Sequence, residues 1–466
     1  MNAPARPNPP PAGGTPPRFT QGSTMRHVIE MTVTGAIGLM AIFVVDFLSL
    51  FYISRLGNTE LTAGVGYAVT VLYLAVSANI GSMIAGIALV SRAIGAGNRA
   101  LARQRAASAV AFACLFGAAV SILLLALLPF ILDKLGASGV PKDVASRFLW
   151  ITLPANILMS AGMMLSGFLR AVGDPRRAMQ VTLFGGIVTA AMDPLLIFGA
   201  GLGTDGAAIA TVISRVVFTA VGLSSVVRVH KLLQWPRWHD MKQDAKAFFD
   251  IAVPAILTNV ATPVGGLFFM RILAPFGAEA IAANAILDRL VPLAFGALFA
   301  LSGAIGPILG QNLGAGLYDR LRQAMRDAFI FGGLYALAAW AILIVLRHQI
   351  TALFSVGGAT AEYVAFFCLV GGMAWVFIGF VLIANAAFNN LGFPLYSTAF
   401  NWGRATLGTV PLAWLGASMA GVQGAIVGLI VGSLVFGIAA VWVVFRAIGE
   451  VEVRVKLKAA AGQAPA

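Results

Sequence analysis

The sequence predicts an all-α polytopic membrane protein whose twelve transmembrane helices form two parallel six-helix repeats. Three observations carry that prediction. The 466 residues are 59% hydrophobic and only 11% charged, against about 25% charged in an ordinary soluble domain. Apolar runs of membrane-crossing length recur along the chain. The second half also restates the first at a nearly constant offset. With a mean hydropathy of +0.90, the chain has more apolar surface than a soluble globule can hide.

Crossing ~30 Å of hydrocarbon takes about 20 helical residues. Runs of that length lie near 27–54, 62–91, 107–132, 144–169, 178–199 and 206–228, and resume near 251–274, 280–311, 328–347, 362–388, 396–415 and 422–446. Residues 1–24 are rich in Pro, Gly and Thr and are expected to be a disordered cytoplasmic tail. They lack the apolar core and small-residue cleavage site of a signal peptide, so the first helix is expected to stay in the mature protein. The expected organisation is a first lobe over 25–229, a cytoplasmic linker over 230–250, a second lobe over 251–447 and a cytoplasmic tail over 448–466.

The duplication is read from short matches. Gly95-Ala96-Gly97 followed by Arg103-Gln104 recurs as Gly314-Ala315-Gly316 followed by Arg322-Gln323, an offset of 219. Gly173 and Pro175 match Gly392 and Pro394 at the same offset. The offset is 217 from Pro194-Leu195 to Pro411-Leu412 and from Gly199-Ala200 to Gly416-Ala417, 218 from Gly206-Ala207 to Gly424-Ala425, and 220 from Gly57 and Ala63 to Gly277 and Ala283. An even number of helices per half starts and ends each half on one side, so the repeats are parallel. Internally repeated hydrophobic halves mark secondary transporters, whose sites lie near the midplane.

The net charge of +13 is a topology signal. Arg92, Arg99, Arg103, Arg105, Arg170, Arg176, Arg177, Arg228, Lys231, Arg237, Lys242, Lys246, Arg320, Arg322 and Arg326 fall in one set of loops, while the opposite set holds little beyond Arg55, Lys134, Lys142 and Arg347. By the positive-inside rule the first set and both termini are cytoplasmic. No nucleic-acid partner is expected, and a monomer in the lipid bilayer is. Cys114 and Cys368 lie in apolar segments of different halves, which argues against a disulfide framework or a metal site. The four histidines sit at or beyond segment ends, so an intramembrane histidine relay is not expected.

Two acids lie inside spans: Asp46 in the first and Asp193 in the fifth. An acid at mid-helix costs at least ~2.5–3.5 kcal/mol on insertion scales, so function is the default reading. Gly186, Thr189 and Asp193 share one helical face. Pro194 frees the carbonyl of Ala190, an acceptor beside the carboxylate that favours a cation. Thr211 and Ser214 in the sixth span, and Asn156 and Ser166 in the fourth, can supply further oxygens or simply pack helices. The second half has neither acid, since Asp46 falls opposite Gly266 and Asp193 opposite Val410. It carries instead Arg271, Asp288, Arg289, Arg404, Asn259, Asn385 and Asn401, and the candidates for lining a substrate cavity are Asn156 and Ser166 of the first half with Asn259, Asp288, Arg289 and Arg404 of the second. Arg404 needs a partner that the sequence does not name.

These residues resemble the MATE family, the multidrug and toxic compound extrusion transporters, over nearly all of 25–447. The resemblance rests on Val45-Asp46, Arg55-Leu56-Gly57, Gly95-Ala96-Gly97, Leu169-Arg170-Ala171-Val172-Gly173-Asp174, Asp193-Pro194-Leu195-Leu196-Ile197-Phe198-Gly199, Gly206-Ala207-Ala208-Ile209-Ala210-Thr211 and Gly310-Gln311-Asn312-Leu313-Gly314-Ala315-Gly316. It implies two six-helix lobes in a V, alternating access, and export driven by proton or sodium entry across a bacterial inner membrane. It also implies that Asp46, Asp193 and Thr211 form the coupling site. There are two departures. Thr189 stands where relatives often have asparagine, and Thr262-Pro263 stand where the norfloxacin-exporter branch carries a glutamate. The pattern is closer to the branch named for DNA-damage-inducible protein F.

The leading expectation is a cation-coupled exporter of amphipathic, often cationic, small molecules, with no cofactor. A lipid-linked precursor flippase is the alternative within transport, and Arg271, Arg289 and Arg404 are its support. A non-transporting scaffold or receptor gives no reason to tolerate Asp46 and Asp193. An enzyme is not expected, because no nucleophile–base pair, metal cluster or phosphate loop stands out. The Gly-Ala-Gly motifs follow apolar helices rather than a strand, unlike nucleotide loops.

Overall fold

The computed structural model describes residues 16–354 and 356–460, except the side chains of 458 and 459, and these residues contain no strand. The helices are α1 (Thr24–Ser54), α2 (Thr59–Gly95), α3 (Arg99–Ala126), α4 (Leu128–Lys134), α5 (Gly139–Thr152), α6 (Asn156–Ala171), α7 (Pro175–Pro194) and α8 (Gly203–Ser224). They continue with α9 (Trp238–Leu273), α10 (Ala278–Gly314), α11 (Tyr318–Leu353), α12 (Gly358–Leu369), α13 (Ala374–Leu391), α14 (Pro394–Gly403) and α15 (Val410–Ala460). Wider π turns extend α7 over Leu195–Gly199, α8 over Ser225–Val229 and α14 over Arg404–Gly408.

Sequence chemistry sets the ends. Asn98 caps α3 by accepting from Leu101 N at 2.9 Å, and Asp174 caps α7 by accepting from Arg177 N at 3.2 Å. The repeated Gly-Ala-Gly motif is a helix stop. Gly97 and Gly316 take φ of 71° and 69°. Asn98 N then reaches Ala93 O at 3.0 Å and Leu317 N reaches Asn312 O at 2.9 Å. This is the Schellman pattern, which a left-handed glycine permits.

Among the described residues, ten helical stretches are long and apolar enough to cross a bilayer alone, and α5 with α6, bent by 56°, makes one more. The 64-residue stretch Pro394–Leu457 is two spans. Its backbone leaves the helix at Ala420 (φ −143°, ψ 27°) and Gly421 (φ 60°, ψ −143°). Its two arms then run antiparallel in contact. A Cβ added at Gly424 would lie 2.0 Å from Gly416 O, and one at Gly432 only 1.8 Å from Gly408 O. In lipid, helices associate by close packing rather than by escaping water, and small residues allow that approach. The predicted twelve spans result.

The chain forms two compact units, Ile37–Ile256 and the described part of Met1–Ala36 with Leu257–Ala466. The boundaries differ from the expected lobes of 25–229 and 251–447. They fall inside α1 and α9, so each of these helices begins in one unit and continues in the other. The linker expected over 230–250 ends early, because α9 begins at Trp238. Met241, Asp244 and Phe248 recur at helical spacing and are buried, while Lys242 and Lys246 take the other face. Charged composition masked an amphipathic helix. Residues 448–460, expected as tail, continue α15, with Glu450–Arg454 and Glu452–Lys456 pairs one turn apart. Residues 1–15 and 461–466 of the expected tails lie outside the described residues. Residues 16–24 are held, however: Phe19 is 1% exposed, and its N–H donates to Gln311 Oε1 at 2.9 Å.

Candidate functional site

Within Ile37–Ile256, α1 and α7 run side by side. A Cβ added at Gly38 would touch Thr182 at 3.6 Å, and one at Gly186 would touch Val45 at 3.3 Å. The same register brings Ser49 to Asp193, whose Oδ2 accepts the serine hydroxyl. Asp193 is 1% exposed, and its Oδ1 has no hydrogen-bond partner among the described residues. Asp46 stands one turn before Ser49 with its side chain open on the face of α1. The Asp46 and Asp193 carboxyl groups are within Coulombic reach of each other, and Tyr73 of α2 is within reach of Asp46. The structure therefore brings together the two acids that the sequence singled out. It adds Ser49, which only the α1–α7 register reveals.

Thr189 Oγ1 donates to Gly185 O at 3.2 Å, Thr211 Oγ1 to Ala207 O at 3.0 Å, and Ser214 Oγ to Gly185 O at 2.8 Å. Each hydroxyl spends its proton on a helix carbonyl and keeps oxygen lone pairs to accept with. After Asp193, Pro194 ends the α-helical ladder, and the π turn Leu195–Gly199 closes with Ala200 N to Leu195 O at 2.8 Å. Single π turns inside helices are frequent at functional sites.

Other candidates fare differently. Asn156 is 1% exposed, accepts from Asn79 Nδ2 at 2.8 Å and donates to Gly117 O at 3.1 Å. It fastens α6 to α2 and α3, which corrects the expectation that it lines a cavity. Ser166 is likewise buried at 3%. Arg215, which sequence reasoning passed over, is 8% exposed and donates to Thr152 O at 2.6 Å. It caps the carbonyl end of α5 at the bend before α6, a role suited to a cation.

In the other unit, Asp288 accepts from Asn284 Nδ2 at 3.2 Å on its own helix. Asp288, Arg289 and Arg271 have exposed side chains. Among the described residues none of these three forms an ion pair. Asn401 is 2% exposed and donates to Ser397 O at 2.9 Å, Asn385 is 7% exposed, and Asn259 lies half-buried on α9. Arg404 is 8% exposed, opens the π turn Arg404–Gly408, and has no carboxylate partner and no acceptor for Nε among the described residues. No group of three or more His, Cys, Asp or Glu is placed to hold a metal among the described residues.

The MatE family model matches residues 36–195 and again 254–415, one match in each half. The chain belongs to the MATE family. It is therefore a multi-pass membrane transporter and not an enzyme. The chain is 28% identical over 432 residues to the FAD transporter of Shewanella oneidensis, covering 90% of this chain and 94% of that one. It is 22% identical to the multidrug export protein MepA of Staphylococcus haemolyticus, covering 92% and 94%. The structure of the Vibrio cholerae MATE transporter VcmN in its bent form superposes with a TM-score of 0.88 at 24% identity over 92% of this chain and 98% of that one, a likeness of fold.

Proposed function

We propose that this MATE transporter exports small amphipathic, often cationic, organic compounds, driven by an ion gradient through alternating access. The observation that supports it best is the pairing of Asp46 with Asp193 on adjacent helices of one unit, with a buried carboxyl oxygen left without a partner. A buried polar atom without a partner costs free energy, and a proton or a sodium ion supplies the missing contact. Two neighbouring carboxyl groups titrate jointly rather than as independent acids. Loading an ion from one side and releasing it to the other is the exchange that a coupling site performs.

Protons drive the carrier in this reading. Thr189 offers less to a sodium ion than an asparagine amide would, while Thr211 and the Asp193 Oδ1 keep sodium available as a second ion. The positive-inside pattern places the Gly-Ala-Gly turns on the cytoplasmic face of a bacterial plasma membrane. The test is ethidium accumulation in everted vesicles, the export direction of the inverted membrane, with a pH or a sodium gradient imposed in turn. Accumulation driven by a pH gradient without sodium supports the reading. Inactivity there, relieved by sodium alone, assigns the coupling to sodium.

A second reading of the substrate rests on Arg404. A buried guanidinium without a carboxylate partner in the other unit suits an anionic group, and the similarity to an FAD transporter points the same way. Uptake of FAD into the same vesicles, competed by ethidium or not, separates the two substrate classes.

A further inference from the structure

The segment that joins α8 to α9 presents cations that the protein itself leaves unmatched. Arg228, Lys231, Arg237 and Lys242 are exposed, and none of them forms an ion pair among the described residues. Other basic residues at helix ends are spent on the protein. Arg99 donates to His230 O at 2.8 Å, Arg177 pairs with Asp174 at 3.0 Å, and Arg320 donates to Phe19 O at 3.1 Å and Gly22 O at 3.0 Å. Lys246, one turn after Lys242, is matched by Asp250 at 2.8 Å. Within the segment itself, the carboxylate of Asp240 is half-buried in the first turn of α9 and pairs with none of these cations.

Two tryptophans stand among the cations with their rings uncovered. Trp235 is 89% exposed and Trp238 69%, and Lys242 Nζ lies 5.4 Å from the centre of the Trp238 ring. In membrane proteins Trp gathers at the boundary between hydrocarbon and headgroups. The depth agrees. Asp244 accepts from Ser108 at 2.7 Å, and Ser108 lies at the basic end of the apolar run 107–132. Lys242 and Trp238 stand roughly 3 and 9 Å outward of Asp244 along the helix axis at 1.5 Å per residue, which brackets a headgroup layer of about 6 Å. In the other direction, the same helical face continues through Phe249, 40% exposed, and Val253, 50% exposed. That face is apolar where hydrocarbon begins and basic where it ends.

The segment is held from its inner side. Leu232 is 3% exposed, and Met241 and Phe248 are buried on the opposite face of α9. Leu232 N reaches Val226 O at 3.1 Å. Lys231, beside it, takes a φ of 48°, a left-handed conformation uncommon for lysine. A fixed backbone presents its cations in one arrangement and lowers the ordering cost of binding.

We propose that residues 228–242 are a docking surface for the anionic lipid headgroups of the cytoplasmic leaflet. Trp235 and Trp238 sit at headgroup depth, and Arg228, Lys231, Arg237 and Lys242 take the lipid phosphates. Charge complementarity names the occupant, because that leaflet carries a negative surface potential that attracts basic segments beside a span. The choice of leaflet rests on the proposed orientation, whereas the preference for anionic headgroups does not.

The test uses the full-length protein in nanodiscs of phosphatidylcholine mixed with phosphatidylglycerol. Both faces of a nanodisc carry the same lipids, so the outcome is independent of orientation and of transport. The fluorescence of Trp235 and Trp238 is isolated as the difference between the wild type and a variant combining Trp235→Phe with Trp238→Phe. Its quenching is compared when one lipid or the other is brominated near the headgroup, at equal mole fraction. Brominated phosphatidylglycerol is expected to quench more strongly. Arg237→Gln, alone and with Lys242→Gln, is expected to lower the local enrichment of phosphatidylglycerol by roughly fivefold per cation removed. A second readout needs no tryptophan variant: native mass spectrometry should show fewer phosphatidylglycerol molecules retained by the doubly neutralised protein than by the wild type. Equal quenching by the two lipids overturns the proposal, and so does quenching by aqueous iodide but by neither lipid. An enrichment and a retained lipid number unchanged by both charge substitutions overturn it as well.

Discussion

The two halves share a scaffold and divide the chemistry. In the first half, the α1–α7 register places Ser49 and Asp193 in contact and Asp46 one turn away. In the second half, the repeat positions of Asp46 and Asp193 are Gly266 and Val410, and Arg404, of opposite sign to those acids, is deeply buried, as is Asp327. The common features, the Gly-Ala-Gly helix stops and the tight hairpin after the fifth span of each half, are all backbone geometry. A Cβ at Gly206 would lie 2.7 Å from Leu196 O, and one at Gly424 would lie 2.0 Å from Gly416 O. Duplication has thus kept what the fold requires, and the side chains that bear charge differ between the copies.

The largest effect is expected where that geometry is tightest. Gly432→Val places methyl groups where the Gly408 carbonyl oxygen already stands 1.8 Å from a Cβ, so the hairpin cannot close. Size-exclusion chromatography should show aggregated or absent protein, and a monodisperse peak would show that the arms can separate. Next comes the charge division. Arg404→Gln is expected to leave ethidium export near the wild-type rate and to remove transport of anionic compounds, measured by FAD uptake in everted vesicles. Equal loss of both would make Arg404 a structural residue. Ser49→Ala should weaken ion-driven export by roughly tenfold, the effect of losing one hydrogen bond to a charged group, read from the initial rate of ethidium efflux. The smallest change is expected from Thr189→Asn. Its added amide oxygen should raise the sodium response by a few-fold at most, seen as sodium-driven efflux at fixed pH.

Much of this was legible in the sequence, and the reasons the rest was not are physical. Hydrophobic runs and offsets report on the chain's local pattern, so the twelve spans and the two halves could be read directly. Asp46 and Asp193 stood out because charge inside a span is costly. The Ser49–Asp193 contact depends on which faces of α1 and α7 meet, and spacing along one helix does not specify that. The start of α9 has the composition of a linker because its charges hide the buried stripe of Met241, Asp244 and Phe248. Arg215 was missed because only the bend between α5 and α6 leaves the Thr152 carbonyl for it to cap.

The central claim is that the acids of the first-half unit couple the ion to the substrate and are not needed merely to move substrate. The direct measurement compares uphill and downhill ethidium movement in proteoliposomes for the wild type, Asp46→Asn and Asp193→Asn. Replacing either acid by its neutral isostere removes ion loading and leaves the scaffold intact. Both variants are predicted to equilibrate ethidium down its own gradient and to fail at export against it under an imposed ion gradient, whereas the wild type does both. Uphill export by both variants at the wild-type rate would contradict the account.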